Sequence, residues 1–170
     1  IEPGAESHPI LRGVSDVFGD SGVYETHPVA DATILLRGYV LKGMNPADEP
    51  DTYRKKRKSD DQEQGINDPA MPAAWARIHR PATGRPNRVF CTTLGAATDL
   101  ANEGLRRMVV NAVLWGFELE IPARSDVRFV DPYAPTPYAF KGYRRGLTPG
   151  DPRYHIATFD GPDFSRPPGA

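Results

Sequence analysis

The stretch from residue 88 to residue 115, RVFCTTLGAATDLANEGLRRMVVNAVLW, constrains the fold of this chain more than any other part. It begins as a short apolar strand, passes through a polar loop that contains Gly95, and continues as a helix predicted over residues 99–117. A strand that leads through a loop into a helix is typical of α/β domains, in which ligand sites lie at the carboxyl ends of strands. The helix has an apolar stripe at helical spacing, formed by Leu105, Met108, Val109, Ala112 and Trp115.

The rest of the sheet is predicted from runs of β-branched, aromatic and aliphatic residues that end at turn-forming residues. Such runs occupy residues 32–42, 73–79 and 88–93, and a shorter strand is predicted at 23–25. The polar turn PATGRPN at 81–87 has about the usual length for a hairpin loop, so the strands on either side of it should pair.

Composition divides the chain into segments of different character. The predicted elements place an α/β domain in residues 1–121. Within it, residues 45–68 alternate acidic and basic blocks with almost no apolar side chains, so we expect a charged, mobile loop. Residues 122–159 are rich in Pro and aromatic residues and should form an extended arm that packs on the domain. Residues 160–170 are predicted to be a disordered tail.

Charge and residue usage exclude several classes of partner. The net charge is −1, and acidic residues flank the basic run at 54–58, so we expect no nucleic-acid partner. No apolar run approaches 18 residues, and we expect no membrane-spanning helix. The single cysteine and four widely spaced histidines predict no metal site. The sequence leaves any cofactor unknown and does not distinguish a cytoplasmic from a periplasmic location.

The candidate site is the loop between the last strand and the helix. Thr92, Thr93, Asp99, Asn102 and Glu103 bring hydroxyl, amide and carboxylate groups to the helix N-terminus. The free N–H groups there favour an anionic or hydroxyl-rich ligand. We expect Asp99 and Glu103 to be the catalytic carboxylates, as acid or base, and Thr92, Thr93 and Asn102 to bind the substrate.

The alternative for these residues is helix capping. Asp99 or Asn102 can accept the first free N–H groups of the helix. Glu103 lies in the first turn, where it can pair with Arg106 or Arg107. Gly104 weakens the helix by about 1 kcal/mol relative to Ala, which indicates close packing at that position.

Other residues have two interpretations each. Trp75 is either part of the core or a platform on which a sugar ring stacks. His8 is either a packing residue or a substrate-binding residue. Arg12 and Arg37 are either surface ion-pair residues or clamps for a ligand. Cys91 lies in an apolar strand without a GxSxG-type elbow, so we expect a small buried residue and not a nucleophile.

Several segments, in order, resemble the ThuA-like (trehalose utilisation) family of bacteria. They are HPILRG at 8–13, LRGYVLKGM at 36–44, NDPAMPAAW at 67–75, the stretch 88–115, and PYAPTPYAFKGYRRG at 132–146. The resemblance implies part of a flavodoxin-like, class I glutamine amidotransferase-like sandwich. It also implies a role in carbohydrate metabolism, as the binding or conversion of a trehalose-like glycoside or an oxidised sugar, and supports His8 as a site residue.

The resemblance covers only the C-terminal part of such a domain, which makes the N-terminal half of the same domain an expected partner. Two other functions stay open: a non-catalytic module that binds a carbohydrate or a partner protein, and a glutamine amidotransferase, whose Cys elbow would lie before Ile1. Many relatives have His after the Gly of the RVFYTxLG segment, where this chain has Ala96. A role of that His is therefore absent here or passes to Asp99, Asn102 or Glu103.

Overall fold

The computed structural model of the protein describes residues 1–135, in which one α-helix packs on an antiparallel sheet. The helix, α1, spans Glu103–Gly116, and short 3-10 helices span Pro9–Leu11 and Asp99–Ala101. The strands are β1 (Thr33–Gly38), β2 (Arg54–Lys56), β3 (Glu63–Gly65), β4 (Met71–His79) and β5 (Asn87–Thr92). This mixed content confirms the α/β class.

The three long predicted strands are confirmed as β1, β4 and β5, with ends shifted by up to four residues. The helix begins later than predicted, because residues 99–101 form a 3-10 turn and Asn102 is the N-cap residue. The strand predicted at 23–25 is wrong. Val23 meets the sheet through its side chain, which lies against Gly38, and its backbone joins no ladder.

The main sheet has the order β1-β4-β5, and both of its strand pairs are antiparallel. The expected ligand site at the carboxyl end of a strand is typical of parallel α/β sheets, and this sheet is antiparallel. However, β1 and β5 both run opposite to β4, so their carboxyl ends lie at the same edge of the sheet. Gly38 at the end of β1 pairs with Met71, and Thr92 at the end of β5 pairs with Ala74.

The core lies between one face of this sheet and α1. Leu35, Ala74 and Ala76 are at most 1% exposed on the sheet side. The predicted stripe of α1 provides the other side, with Leu105 and Met108 fully buried. Ala112 and Trp115 continue the stripe, whereas Val109 is only partly buried. Burial of this apolar surface is the main force that holds α1 on the sheet.

A buried polar network fastens the N-terminal segment and residues 121–127 to α1. The Asn111 side chain donates to the carbonyls of Ile10 (3.0 Å) and Arg12 (2.9 Å) and accepts from the Ser125 hydroxyl (2.6 Å). The Arg107 side chain donates to the Ser125 carbonyl at 3.1 Å. These bonds satisfy polar groups that would otherwise be costly to bury. The start of the predicted arm thus packs on the domain, and its residues 136–159, with the predicted tail at 160–170, lie outside the described residues.

Two further findings differ from the expectations. The predicted loop at 45–68 contains β2 and β3, which pair as a short antiparallel ribbon. Cys91 is exposed, so the prediction of a buried cysteine is wrong. Side chains alternate between the two faces of a strand, and α1 covers the face that Phe90 contributes to, which leaves Cys91 on the outer face.

Candidate binding cleft

A cleft of about 490 Å³ lies at the sheet edge where β1 and β5 end. One wall is the loop at residues 15–23, and the other is formed by residues 36–46, which are the end of β1 and the segment that follows it. The floor is formed by Ala73, Thr93 and Leu94. Its size falls within the usual range for small-molecule sites.

The lining combines acids, hydroxyls and aromatic rings. Asp16, Asp20 and Ser21 contribute polar groups from one wall, and Phe18 lies on the same wall. Tyr39 stands on the opposite wall and is 57% exposed. Carboxylates and hydroxyls combined with aromatic surface in one cleft suit a ligand with many hydroxyl groups and apolar ring faces.

Asp99 ties the loop at 15–23 to the loop after β5. Its Oδ2 accepts hydrogen bonds from the Ser21 hydroxyl (2.6 Å) and from the backbone N–H groups of Gly95 and Ala96 (3.0 Å each), and its Oδ1 accepts from the Ser21 N–H at 3.1 Å. Gly95 has φ +153°, a conformation that favours glycine. The carboxylate therefore holds the cleft wall in place from beneath.

The ionisation of Asp99 follows from these contacts. Burial, to 1% exposure, raises the pKa of the carboxyl group, but the hydrogen bonds from Ser21, Gly95 and Ala96 together outweigh it and leave the pKa below its ordinary value. Asp99 is thus an ionised carboxylate at neutral pH. Its carboxylate oxygens accept hydrogen bonds from Ser21, Gly95 and Ala96.

The two threonines after β5 have different positions. The Thr92 hydroxyl donates to the Ala73 carbonyl at 3.1 Å and accepts from the Leu94 N–H, so it closes the end of the β4–β5 ladder. The Thr93 N–H donates to the same carbonyl at 2.9 Å. Of these two, Thr93 lines the cleft.

The helix N-terminus is capped by residues of its own chain. The Asn102 side chain accepts from the Leu105 N–H at 2.8 Å, as the capping alternative expects. The Glu103 carboxylate pairs with Arg107 and Arg124, and hydrogen bonds from these two arginines lower its pKa to about 2. Neither Asn102 nor Glu103 lines the cleft.

His8 and Trp75 lie away from this cleft. The His8 Nδ1 accepts from the Ile10 N–H at 3.2 Å, its ring lies 5.6 Å from that of Trp115, and burial lowers its pKa. Trp75 is half-buried on β4, where it is paired with Cys91 and Ile34. The sequence-predicted residues are therefore dispersed: Thr93 and Arg37 line the cleft, whereas His8, Trp75, Thr92, Asp99, Asn102 and Glu103 do not.

Two features complete the description of the cleft: the position of Arg37 and the loop at 15–23. Arg37 lines the cleft, but its guanidinium makes two bonds to Glu2 (2.6 and 2.9 Å), which raise its pKa, as expected of an ion-pair residue. The loop at 15–23 was not predicted as part of the site. Its signal was the cluster SDVFGDSG, in which Asp, Ser and Gly mark a loop with exposed polar groups.

Residues 1–135 contain no group of three His, Cys, Asp or Glu side chains arranged to hold a metal ion. In the same residues no helix has the length and apolar character that crossing a membrane requires. No protein-family profile, curated protein or solved structure matches the chain. The ThuA-like resemblance consequently rests on the sequence segments alone and stays a prediction.

Proposed function

We propose that the chain is the C-terminal part of a ThuA-like protein and that its cleft binds a sugar. The observation that carries this proposal is the position and lining of the cleft. It lies at the shared carboxyl edge of β1 and β5, with two carboxylates, hydroxyls and two aromatic rings around one cavity. Carboxylates that accept hydrogen bonds from sugar hydroxyls form the stronger class of such bonds.

The charge of the lining favours a neutral ligand over an anion. Asp16 and Asp20 are acidic, and the positive charge of Arg37 is balanced by Glu2. An anion would meet uncompensated carboxylates there and would be repelled. Trehalose and the 3-keto forms of disaccharides are neutral, so the carboxylates do not repel them.

The proposal gives Asp99 and Glu103 positioning roles. A lowered pKa leaves neither carboxyl protonated for acid catalysis at neutral pH, and neither residue lines the cleft, where a base would have to meet the substrate. This observation favours the binding-module alternative over conversion of the sugar by these two residues. Cys91 on the outer sheet face gives no support to an amidotransferase.

The fold proposal follows from the same resemblance. We propose that the three antiparallel strands form one side of a larger flavodoxin-like sheet completed by the N-terminal half of the domain. Antiparallel strands at the side of a mostly parallel sheet are common in large α/β folds. Restored N-terminal sequence should then raise the stability of the chain.

The test is a thermal-shift screen with trehalose, other disaccharides, their 3-keto forms and glutamine. A ligand of the native state at 100 times its Kd stabilises by about 2.7 kcal/mol, which is a measurable shift. The matched variants are Asp20→Asn, in the cleft, and Asp131→Asn, on an exposed residue outside it. A sugar shift that Asp20→Asn removes and Asp131→Asn keeps supports the proposal. A response to glutamine alone, or equal effects of the two variants, refutes it.

A further inference from the structure

The face of α1 that points away from the sheet carries apolar side chains. Val110, Val113 and Phe117 are all exposed, and Phe117 is 74% exposed. A helix on the surface of a globular protein usually has polar residues on its outer face, because the core covers only one stripe. α1 thus has a second apolar stripe that residues 1–135 leave uncovered, opposite the core stripe that contains Leu105 and Met108.

The spacing of this outer stripe is symmetrical. Arg106, Val110, Val113 and Phe117 follow one another at intervals of four, three and four residues, which is the pattern of a coiled-coil seam. The Phe117 N–H donates to the Val113 carbonyl at 3.1 Å, so Phe117 continues the helical register. These intervals read the same in both directions. Two antiparallel copies of α1 therefore place Val110 against Val113 and Arg106 against Phe117, on both sides of a twofold axis.

The two ends of the stripe complement each other chemically. At one end, the guanidinium carbon of Arg106 lies 3.9 Å from the centre of the Phe129 ring, and the guanidinium donates to the carbonyls of residues 100, 101 and 127. At the other end, Phe117 exposes its ring. A guanidinium attracts the face of an aromatic ring. Phe117 of one copy thus finds a favourable partner in the Arg106–Phe129 pair of the other.

The charges at the two ends favour the same orientation. Glu120, beyond the end of α1, is exposed and has no ion-pair partner among the described residues. In the first turn, Glu103 pairs with both Arg107 and Arg124, so this group of three has a net charge of +1. Antiparallel copies bring the acidic end of one helix to the basic end of the other and oppose the two helix dipoles, whereas parallel copies bring like charges together.

We propose that a second copy of this chain covers the outer stripe, through an antiparallel α1–α1 contact whose twofold axis passes between Val110 and Val113. Such an interface uses the same patch on both copies, and it closes at two copies. The contact is smaller than the roughly 800 Å² per partner of a standard interface. The dimer should therefore dissociate in the micromolar range or more weakly.

The N-terminal half of the domain, expected from the proposed fold, does not provide this cover. α1 already forms the outer layer on its face of the sheet, and domains consist of two or three packed layers. A half that extends the sheet places its own helices beside α1 and not over its outer face. The dimer is also independent of sugar binding, because α1 meets the wall of the cleft through Gly104, next to the core residue Leu105.

The first test is sedimentation equilibrium of the chain from about 10 μM to about 1 mM. The proposal predicts a reversible monomer–dimer equilibrium. Val113→Lys places two like charges beside the axis and should raise the dimer Kd about tenfold or more. Val29→Lys is the matched control, because Val29 is 52% exposed, against 53% for Val113, and lies in the loop before β1. Circular dichroism checks that both variants are folded. A monomer at every concentration, species larger than a dimer, or equal effects of the two variants overturns the proposal.

The second test determines what covers the stripe and in which orientation. Isotope-filtered NOE spectra of a mixture of labelled and unlabelled chain separate contacts between copies from contacts within one copy. The proposal predicts contacts between copies that join Val110 to Val113 and Phe117 to Phe129. Contacts between Phe117 and Phe117 would indicate a parallel pair, and contacts of Val113 with residues 136–170 of its own chain would assign the stripe to that segment. Either result overturns the proposal.

Discussion

Gly104 provides the sharpest test of how the cleft wall is built. This residue lies in the first turn of α1, directly beneath the loop at 15–23. A Cβ atom at Gly104 would lie 1.5 Å from the carbonyl oxygen of Asp16 and 2.7 Å from its carbonyl carbon. Both are backbone atoms, so a rotamer change cannot relieve the overlap. The wall must move by about 1.5–2 Å to reach van der Waals separation.

The expected magnitude for Gly104→Ala combines two opposite effects. Alanine is the better helix former by about 1 kcal/mol. Overpacking against fixed atoms costs about 1–3 kcal/mol or more, and this contact lies at the severe end of that range. We therefore expect a net loss of about 2 kcal/mol in the free energy of unfolding, together with weaker ligand binding, because Asp16 lines the cleft.

The assay is urea unfolding followed by circular dichroism, with Gly116→Ala as the matched control. Gly116 ends the same helix, and a Cβ atom there would meet nothing within 4 Å. This control should be neutral or stabilising by up to about 1 kcal/mol. If Gly104→Ala is as stable as Gly116→Ala, the close packing of α1 against the cleft wall is refuted.

Three other predictions concern the polar groups that hold the site. Asp99→Asn should lower the free energy of unfolding in urea by about 2–3 kcal/mol, because an amide nitrogen would replace one carboxylate oxygen that accepts buried hydrogen bonds. A loss below about 0.5 kcal/mol would contradict this role. Because the pKa values of Asp99 and Glu103 are lowered, their contribution to stability is present above the ordinary carboxyl pKa and is lost as pH falls. Urea unfolding measured from pH 4.5 to pH 2 should show that loss. The free energy of unfolding should depend less steeply on pH in Asp99→Asn than in the unchanged protein. An equal pH dependence in the two proteins would contradict an ionised Asp99. Ser125→Ala should cost about 1–2 kcal/mol because it leaves the buried Asn111 carbonyl without its donor, whereas exposed Ser7→Ala should be neutral.

The secondary structure was predictable where one physical signal dominated. The stripe of α1 and the runs of β-branched, aromatic and aliphatic residues in β1, β4 and β5 follow from periodicity and burial. The helix start differed because Asp99 satisfies two loop N–H groups while Asn102 takes the capping position. Both residues have the side chains of helix caps, so local sequence did not distinguish their roles.

The site was harder to predict because it is formed by tertiary contacts. Asp99 and Ser21 are 78 residues apart in sequence and share two hydrogen bonds. Only the folded sheet shows that the ends of β1 and β5 lie together and face the loop at 15–23. The same limitation explains Cys91, since its exposure depends on which face of β5 receives α1.

The most direct test of sugar binding in the cleft is an NMR titration of the chain with trehalose and its 3-keto form. The account predicts saturable shifts of the backbone amides of Ser21, Gly22, Tyr39, Thr93 and Leu94, all of which line the cleft. Amides at the opposite sheet edge, near Arg77, should not move. Absence of saturable shifts, or shifts confined to residues outside the cleft, would contradict the proposed function.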